Sequence, residues 1–132
     1  MRQGARIVPR IGRDLGVAVP AGQTMVSSGG KQAIFHALLA TLDPGDEVLI
    51  PAPWWVSYPE IVRFAGGTVV PLETTPAGGY RITPAQLAAA ITPRTTWLLL
   101  NSPGNPTGSV YSEGELRALG EVLARHPQIM VM

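Results

Sequence analysis

The apolar residues of this chain come in short unbroken runs, and the stretches between the runs are patterned as helices. Glu47-Val48-Leu49-Ile50, Thr68 to Leu72 and Thr95 to Leu100 show no alternation of polar and apolar residues. Each run therefore predicts a strand buried on both faces. Lys31 to Leu42 places Ile34, Leu38 and Leu42 four residues apart, with Phe35 and Leu39 alongside, the spacing of one helix face. Trp54 to Ala65 reads as a second helix, closed by Gly66-Gly67. Thr83-Pro84 opens a short helix through Ala90, with proline at the first helical position. Ser112, followed three residues later by Glu115, is a capping box for a helix reaching about Arg125. Gln23 to Ser27 and Gln128 to Met132 are further strand candidates. Buried strands alternating with helices predict an α/β fold: three αβα layers around a mainly parallel sheet.

Ligands of such sheets sit beyond the carboxyl ends of the strands. The loops predicted there are Ser28 to Lys31, Pro51 to Trp55 and Asn101 to Gly108. Other chemistries are removed by composition. The chain has no cysteine, which excludes disulfides, thiolate zinc sites and thiol catalysis. His36 and His126 are too far apart in sequence to form a local metal motif, and no metal is expected. A net charge of +1 gives no electrostatic footprint for nucleic acid or an anionic membrane. No apolar run approaches the roughly 18 residues that a membrane helix needs. Lys31 is the sole lysine, so any lysine-based covalent mechanism within these residues depends on it.

Residues 1–12 form a separate arm, with Arg2, Arg6 and Arg10 ahead of Arg13 and no acid before Asp14. That bias resembles a transit peptide, but serine is missing and Gly4, Pro9 and Gly12 predict an interrupted helix. A poorly ordered or partly helical arm on a cytoplasmic protein is the expectation.

Ser28-Gly29-Gly30-Lys31 joins a strand candidate to a helix N-terminus, where free N–H groups suit a phosphate; a tight strand-to-helix turn has the same composition. A nucleotide P-loop is excluded, because Met25 stands at its first glycine and Gln32 at its Ser/Thr. The dinucleotide fingerprint is excluded because Ala33 stands at its third glycine. In Pro51-Ala52-Pro53-Trp54-Trp55, two prolines stiffen a strand exit and present two indoles. Trp54 is expected in the core, and Trp55 is expected to stack on a flat ring. In Asn101-Ser102-Pro103-Gly104-Asn105-Pro106-Thr107-Gly108, the X-Pro bonds admit a cis peptide and Asn105 offers an amide donor to a ligand oxygen. An ordinary Pro/Gly turn is the other reading of those residues.

The joint order of these segments resembles one family. Asn105-Pro106-Thr107-Gly108 after an apolar strand is similar to the NPTG loop of the class I aminotransferases, pyridoxal-phosphate enzymes of fold type I. Gly29-Gly30-Lys31-Gln32-Ala33, Asp43-Pro44-Gly45-Asp46-Glu47-Val48, Pro53-Trp54-Trp55-Val56-Ser57-Tyr58-Pro59 and Ala65-Gly66-Gly67 stand in that family's order and spacing. The resemblance runs from Arg13 to Met132 and is strongest to the bacterial aspartate aminotransferases. It implies that residues 13–132 are part of a fold type I large domain binding pyridoxal 5'-phosphate. It implies that Gly29, Gly30 and Lys31 hold the phosphate, that Trp55 stacks on the pyridine ring and that Asn105 hydrogen-bonds the phenolic oxygen. Lys31 also matches a basic position tied to acidic substrates, so Lys31, Trp55 and Asn105 are the expected substrate neighbours.

The reaction implied is amino-group transfer between an amino acid, aspartate or another acidic one, and a 2-oxo acid, in a homodimer. The family's Schiff-base lysine, its aspartate on the pyridine nitrogen and its arginine for the substrate carboxylate have no counterpart among these residues. No catalytic residue is therefore assigned, and the expectation is a truncated chain inactive by itself. The alternatives are a non-catalytic module binding a phosphate-bearing ligand, or another fold type I enzyme such as a lyase.

Overall fold

Glu47 to Pro51 forms strand β1, whose first four residues are all buried. A strand covered on both faces needs neighbours on both sides, and β1 has them. The sheet order is β2-β1-β3-β4, with β2 at Thr68–Leu72, β3 at Thr95–Leu98 and β4 at Met130–Val131. All three pairings are parallel, with Leu49 opposite Val70 on one side and Leu98 on the other. The computed structural model describes residues 4–132, in two units divided between His36 and Ala37.

The helices of the second unit pack on both faces of this sheet, but unlike β1 the edge strand β2 is not buried throughout: Thr68 and Pro71 are exposed, as are both residues of β4. On one face Leu49, Leu72 and Leu98 pack with Leu87 of α4 (Pro84–Ala90) and with Leu119 and Val122 of α5 (Glu113–Leu123). On the other face the Trp97 indole donates to Thr41 Oγ1, 3.0 Å away, near the end of α2 (Gly30–Thr41). Ile61 and Val62 of α3 (Ser57–Phe64) are buried, and α3 lies against β2. The three-layer αβα expectation is met. Both capping boxes form: Thr83 with Gln86, and Ser112 with Glu115.

The strand order locates the ligand crevice. The chain steps from β1 through α3 to β2, then through α4 back past β1 to β3. A right-handed crossover in each direction puts α3 and α4 on opposite faces. The direction reverses between β1 and β3, and a crevice opens outside their carboxyl ends.

Three boundaries depart from the sequence expectations. Gln23 to Ser27 is not a strand: Gln23 ends a 3-10 turn begun at Ala21, and Met25 and Val26 are exposed. No neighbouring strand among the described residues offers that segment a ladder. The second helix starts at Ser57 rather than Trp54, because Ala52 is held along β2. Its N–H donates to Leu72 O at 2.9 Å and its carbonyl accepts from the Thr74 hydroxyl. Finally, the arm forms α1 (Gly4–Leu15), which runs through Pro9 and Gly12. Residues 1–3 of the arm lie outside the described residues.

At the opposite end of β1, Glu47 is buried and its carboxylate is fully engaged. It accepts from the Thr92 hydroxyl, from Thr95 Oγ1 at 3.3 Å and from Arg94 Nη2 at 2.9 Å. The Thr92 hydrogen bond, followed by the Arg94 contact, holds this carboxyl below the usual glutamate range. A depressed folded-state pKa means that the stabilisation is present at neutral pH and is lost as pH falls through the folded value. Glu47→Gln is expected to cost about 1–3 kcal/mol at pH 7 and to shrink the loss of stability as pH falls below the usual glutamate range. Urea midpoints measured between pH 7 and pH 3 check this; equal midpoints for the two proteins at pH 7 would contradict it.

Candidate functional site

The exits of β1 and β3 enclose a pocket at the switch point. Ile50, Pro51, Ala52, Pro53 and Trp54 line it from the β1 side, and Leu99, Leu100, Asn101, Gly104 and Asn105 from the β3 side. Tyr58, Tyr80 and Tyr111 complete the wall with Thr107 and Ser109. Its volume is about 30 Å³, room for at least one water molecule.

No Asp, Glu, Lys, Arg or His lines this pocket. Its walls offer hydrogen bonds and aromatic surface, not charge. Tyr111 titrates above the usual tyrosine range because burial penalises the phenolate, so its hydroxyl is neutral at physiological pH. Such a site can hold, orient and exclude water. Proton transfer at neutral pH needs groups beyond these walls.

Asn105 is carried by a loop with a dense internal bond set. Gly104 N–H donates to Ser109 O and Gly108 N–H to Gly104 O, both at 2.7 Å. With its side-chain amide oriented to satisfy both groups, Asn101 donates to Pro103 O at 3.2 Å and accepts from Asn105 N–H at 3.1 Å. The peptide bonds preceding Pro53, Pro103 and Pro106 are cis. Gly108 has φ +71°, a conformation in which glycine avoids the Cβ clash that other residues meet.

The two tryptophans are placed differently from each other. Trp54, expected in the core, is half-buried and lines the pocket. Trp55 is half-buried outside the pocket lining and meets Tyr58 edge-on, with ring centroids 5.4 Å apart at 84°. The sequence reading assigned no role to Tyr58, Tyr80 or Tyr111. Tyr58 and Tyr111 stand a few residues beyond the two strand-exit loops, a position that was a usable signal. Tyr80 carried no signal of its own.

Gly29, Gly30 and Lys31 belong to the first unit, where they are exposed at the start of α2. Gln32 Oε1 accepts from Ser28 N–H at 2.5 Å, and Ser27 Oγ donates to Gly29 O at 3.0 Å. These bonds shape the turn ahead of the helix. A Cβ added at Gly29 or Gly30 meets no heavy atom within 4 Å, so the backbone there is open to approach. The first turn of a helix directs its N–H groups outward, a site suited to an anion.

Among the described residues no three His, Asp or Glu side chains gather to hold a metal ion, and no helix is long and apolar enough to cross a membrane. The family model described as "Aminotransferase class I and II" matches residues 5–132. An aspartate/prephenate aminotransferase of Cereibacter sphaeroides is 53% identical over 126 residues, covering 96% of this chain and 32% of that protein. A namesake from Nitrosomonas europaea is 51% identical over 95% of this chain and 32% of its own length. Among solved structures, the aspartate aminotransferase of Rhizobium meliloti superposes with a TM-score of 0.93 at 45% identity, over 97% of this chain and 32% of that one. The aspartate aminotransferase of Thermus thermophilus solved with maleate gives a TM-score of 0.89 at 47% identity, over 95% of this chain and 32% of that one. The chain thus spans about a third of the length of the relatives it matches.

Proposed function

The chain belongs to the class I and II aminotransferases, and from that premise we propose that its residues form the cofactor-holding part of an aspartate-type transaminase. The proposed reaction moves an amino group between an acidic amino acid and a 2-oxo acid, in a cytoplasmic homodimer that uses pyridoxal 5'-phosphate. The observation that carries the reading is the uncharged pocket at the switch point, with Asn105 on its rim. When bound, pyridoxal phosphate supplies the electron-withdrawing ring on which amino-group transfer depends.

Each unit carries residues suited to that group. In the first unit the open Gly29-Gly30 backbone and the first turn of α2 suit a phosphate, and the Lys31 ammonium would add charge there. The Asn105 amide would donate to its phenolic oxygen, and Trp55 would offer an indole face to the pyridine ring. Lys31 also accounts for an acidic substrate, because a distal carboxylate is drawn to an ammonium. The Thermus relative was solved with maleate, a small dicarboxylate, which supports the same substrate class here.

Titration of pyridoxal phosphate into the 132-residue chain, followed by tryptophan quenching and cofactor absorbance, tests this reading. Saturable binding that weakens on Asn105→Ala and on Lys31→Ala is expected; the absence of saturable binding would overturn it. Aromatic stacking contributes about 0.5–1.5 kcal/mol beyond burial, so Trp55→Ala is expected to weaken binding by up to roughly tenfold. Trp54→Ala is expected to act mainly on the melting temperature. A larger effect on affinity from Trp54→Ala would transfer the stacking role to Trp54, which lines the pocket.

A further inference from the structure

We propose that the segment Gly79–Ile82 is a buttress for the loop that carries Asn105, and that Ser109 and Tyr111 are the positioning residues through which it acts. The proposal deepens the cofactor reading above and rests on it for the role of Asn105. Its starting point is a backbone outlier. Tyr80 has φ +55° and follows Gly79 at φ +61°. Tyr80 is the sole non-glycine residue with positive φ among the described residues. A glycine adopts this region freely, whereas a tyrosine there is strained and persists only where its surroundings hold it.

Its own turn and the segment just after the Asn105 loop hold it. The Gly79 and Tyr80 N–H groups turn inward, to Pro76 O and Thr75 O, each at 2.9 Å. The Gly79 and Tyr80 carbonyls are thereby presented to the Ser109 hydroxyl, at 2.8 and 3.5 Å. Two residues on, Ile82 N–H donates to the Tyr111 hydroxyl at 2.9 Å, and Tyr111 is buried. Tyr111 N–H in turn donates to Ser102 Oγ at 3.1 Å, near the other end of the loop. Ser109 O accepts the Gly104 N–H, next to Asn105. Through Ser109 and Tyr111 the bonds link the strained turn to Ser102 and Gly104, the residues leading into Asn105.

This route matters because Asn105 is exposed. Packing around its side chain does little to fix it, so its aim is inherited from the backbone beneath. A ligand contact needs that backbone to be set before binding, and hydrogen bonds to a rigid neighbouring segment supply this.

Two measurements on the full 132-residue chain test the proposal. The first needs no ligand. In Tyr111→Phe and in Ser109→Ala, amide exchange at Gly104 and Gly108 is expected to speed up at least tenfold. Exchange at Leu49 and Leu98 in the sheet should be unchanged, and Ser109→Thr, which keeps the hydroxyl, should restore slow exchange. Unchanged exchange at the two glycines, or equal acceleration across the sheet, overturns the proposal, because the first shows no coupling and the second only a general loss of stability.

The second measurement is a double-mutant cycle on pyridoxal phosphate affinity, taken well below the melting temperature. Tyr111→Phe is expected to weaken binding three- to tenfold when Asn105 is present and to have no further effect in Asn105→Ala. A full, additive effect in the Asn105→Ala background sinks the positioning role. If the unmutated chain binds no pyridoxal phosphate while the glycine amides respond as expected, the cofactor reading has failed and the buttress stands.

Discussion

Mixed with pyridoxal phosphate, aspartate and 2-oxoglutarate at neutral pH, the 132-residue chain is expected to transfer amino groups no faster than the free cofactor does. Reactions of this class use a lysine amine that bonds to the cofactor's aldehyde. Lys31 is the sole lysine, and it stands at the first turn of α2, where the proposed role is to hold the phosphate. An amine committed beside the phosphate is not placed to serve the aldehyde carbon as well. The pocket walls hold no charged group that could substitute as proton carrier. The expected difference from a working transaminase is several orders of magnitude, within the usual span of enzymatic rate enhancement. Coupled assay of oxaloacetate formation checks it. Turnover well above free cofactor, abolished by Lys31→Ala, would require a new role for Lys31.

The second large effect concerns the sheet. Leu98 is fully buried, sits opposite Leu49 in the β1–β3 pairing and belongs to the cluster closed by α4 and α5. Leu98→Ala removes three carbons from a site with helices on one side and strands on two others. Such cavities cost about 2–5 kcal/mol, because the surroundings relax only partly. That is a large share of the roughly 5–15 kcal/mol that holds a domain folded. Urea unfolding is expected to move to a much lower midpoint with an unchanged slope. Met130→Ala, at a residue 38% exposed on β4, is the control, with an expected change below about 1 kcal/mol. A Leu98→Ala midpoint no lower than that of Met130→Ala would contradict the assignment of the core.

Most of the secondary structure was legible because its causes are local. An unbroken apolar run such as Val48-Leu49-Ile50 has no polar face to show solvent, so it demands cover on both sides. The Thr83/Gln86 and Ser112/Glu115 boxes satisfy helix N–H groups within three residues. Asp43-Pro44-Gly45-Asp46 and Gly66-Gly67 end α2 and α3 by chemistry contained in the turns themselves. The segment from Gln23 to Ser27 misled for the complementary reason. Its β-branched residues suited a strand, but a ladder needs a partner, and none lies beside it among the described residues.

The sequence by itself determined the alternation of strands and helices, the parallel layered class, and the loops at the exits of β1 and β3, including Asn105 at the head of its NPTG stretch. Each of these rests on contacts between residues close in the chain or on a periodicity visible in a short window. The tertiary structure alone decided that β2 and β3 flank β1 on opposite sides, which turns the ends of β1 and β3 into a pocket. It also decided that Trp54 rather than Trp55 lines that pocket, and that Tyr80 joins the same wall. Side-chain aim depends on register and on hydrogen bonds between distant segments, such as Ser109 to Gly79 and Tyr111 to Ile82. No periodicity in the chain encodes a partner some thirty residues away; only the closed sheet brings such groups within bonding distance.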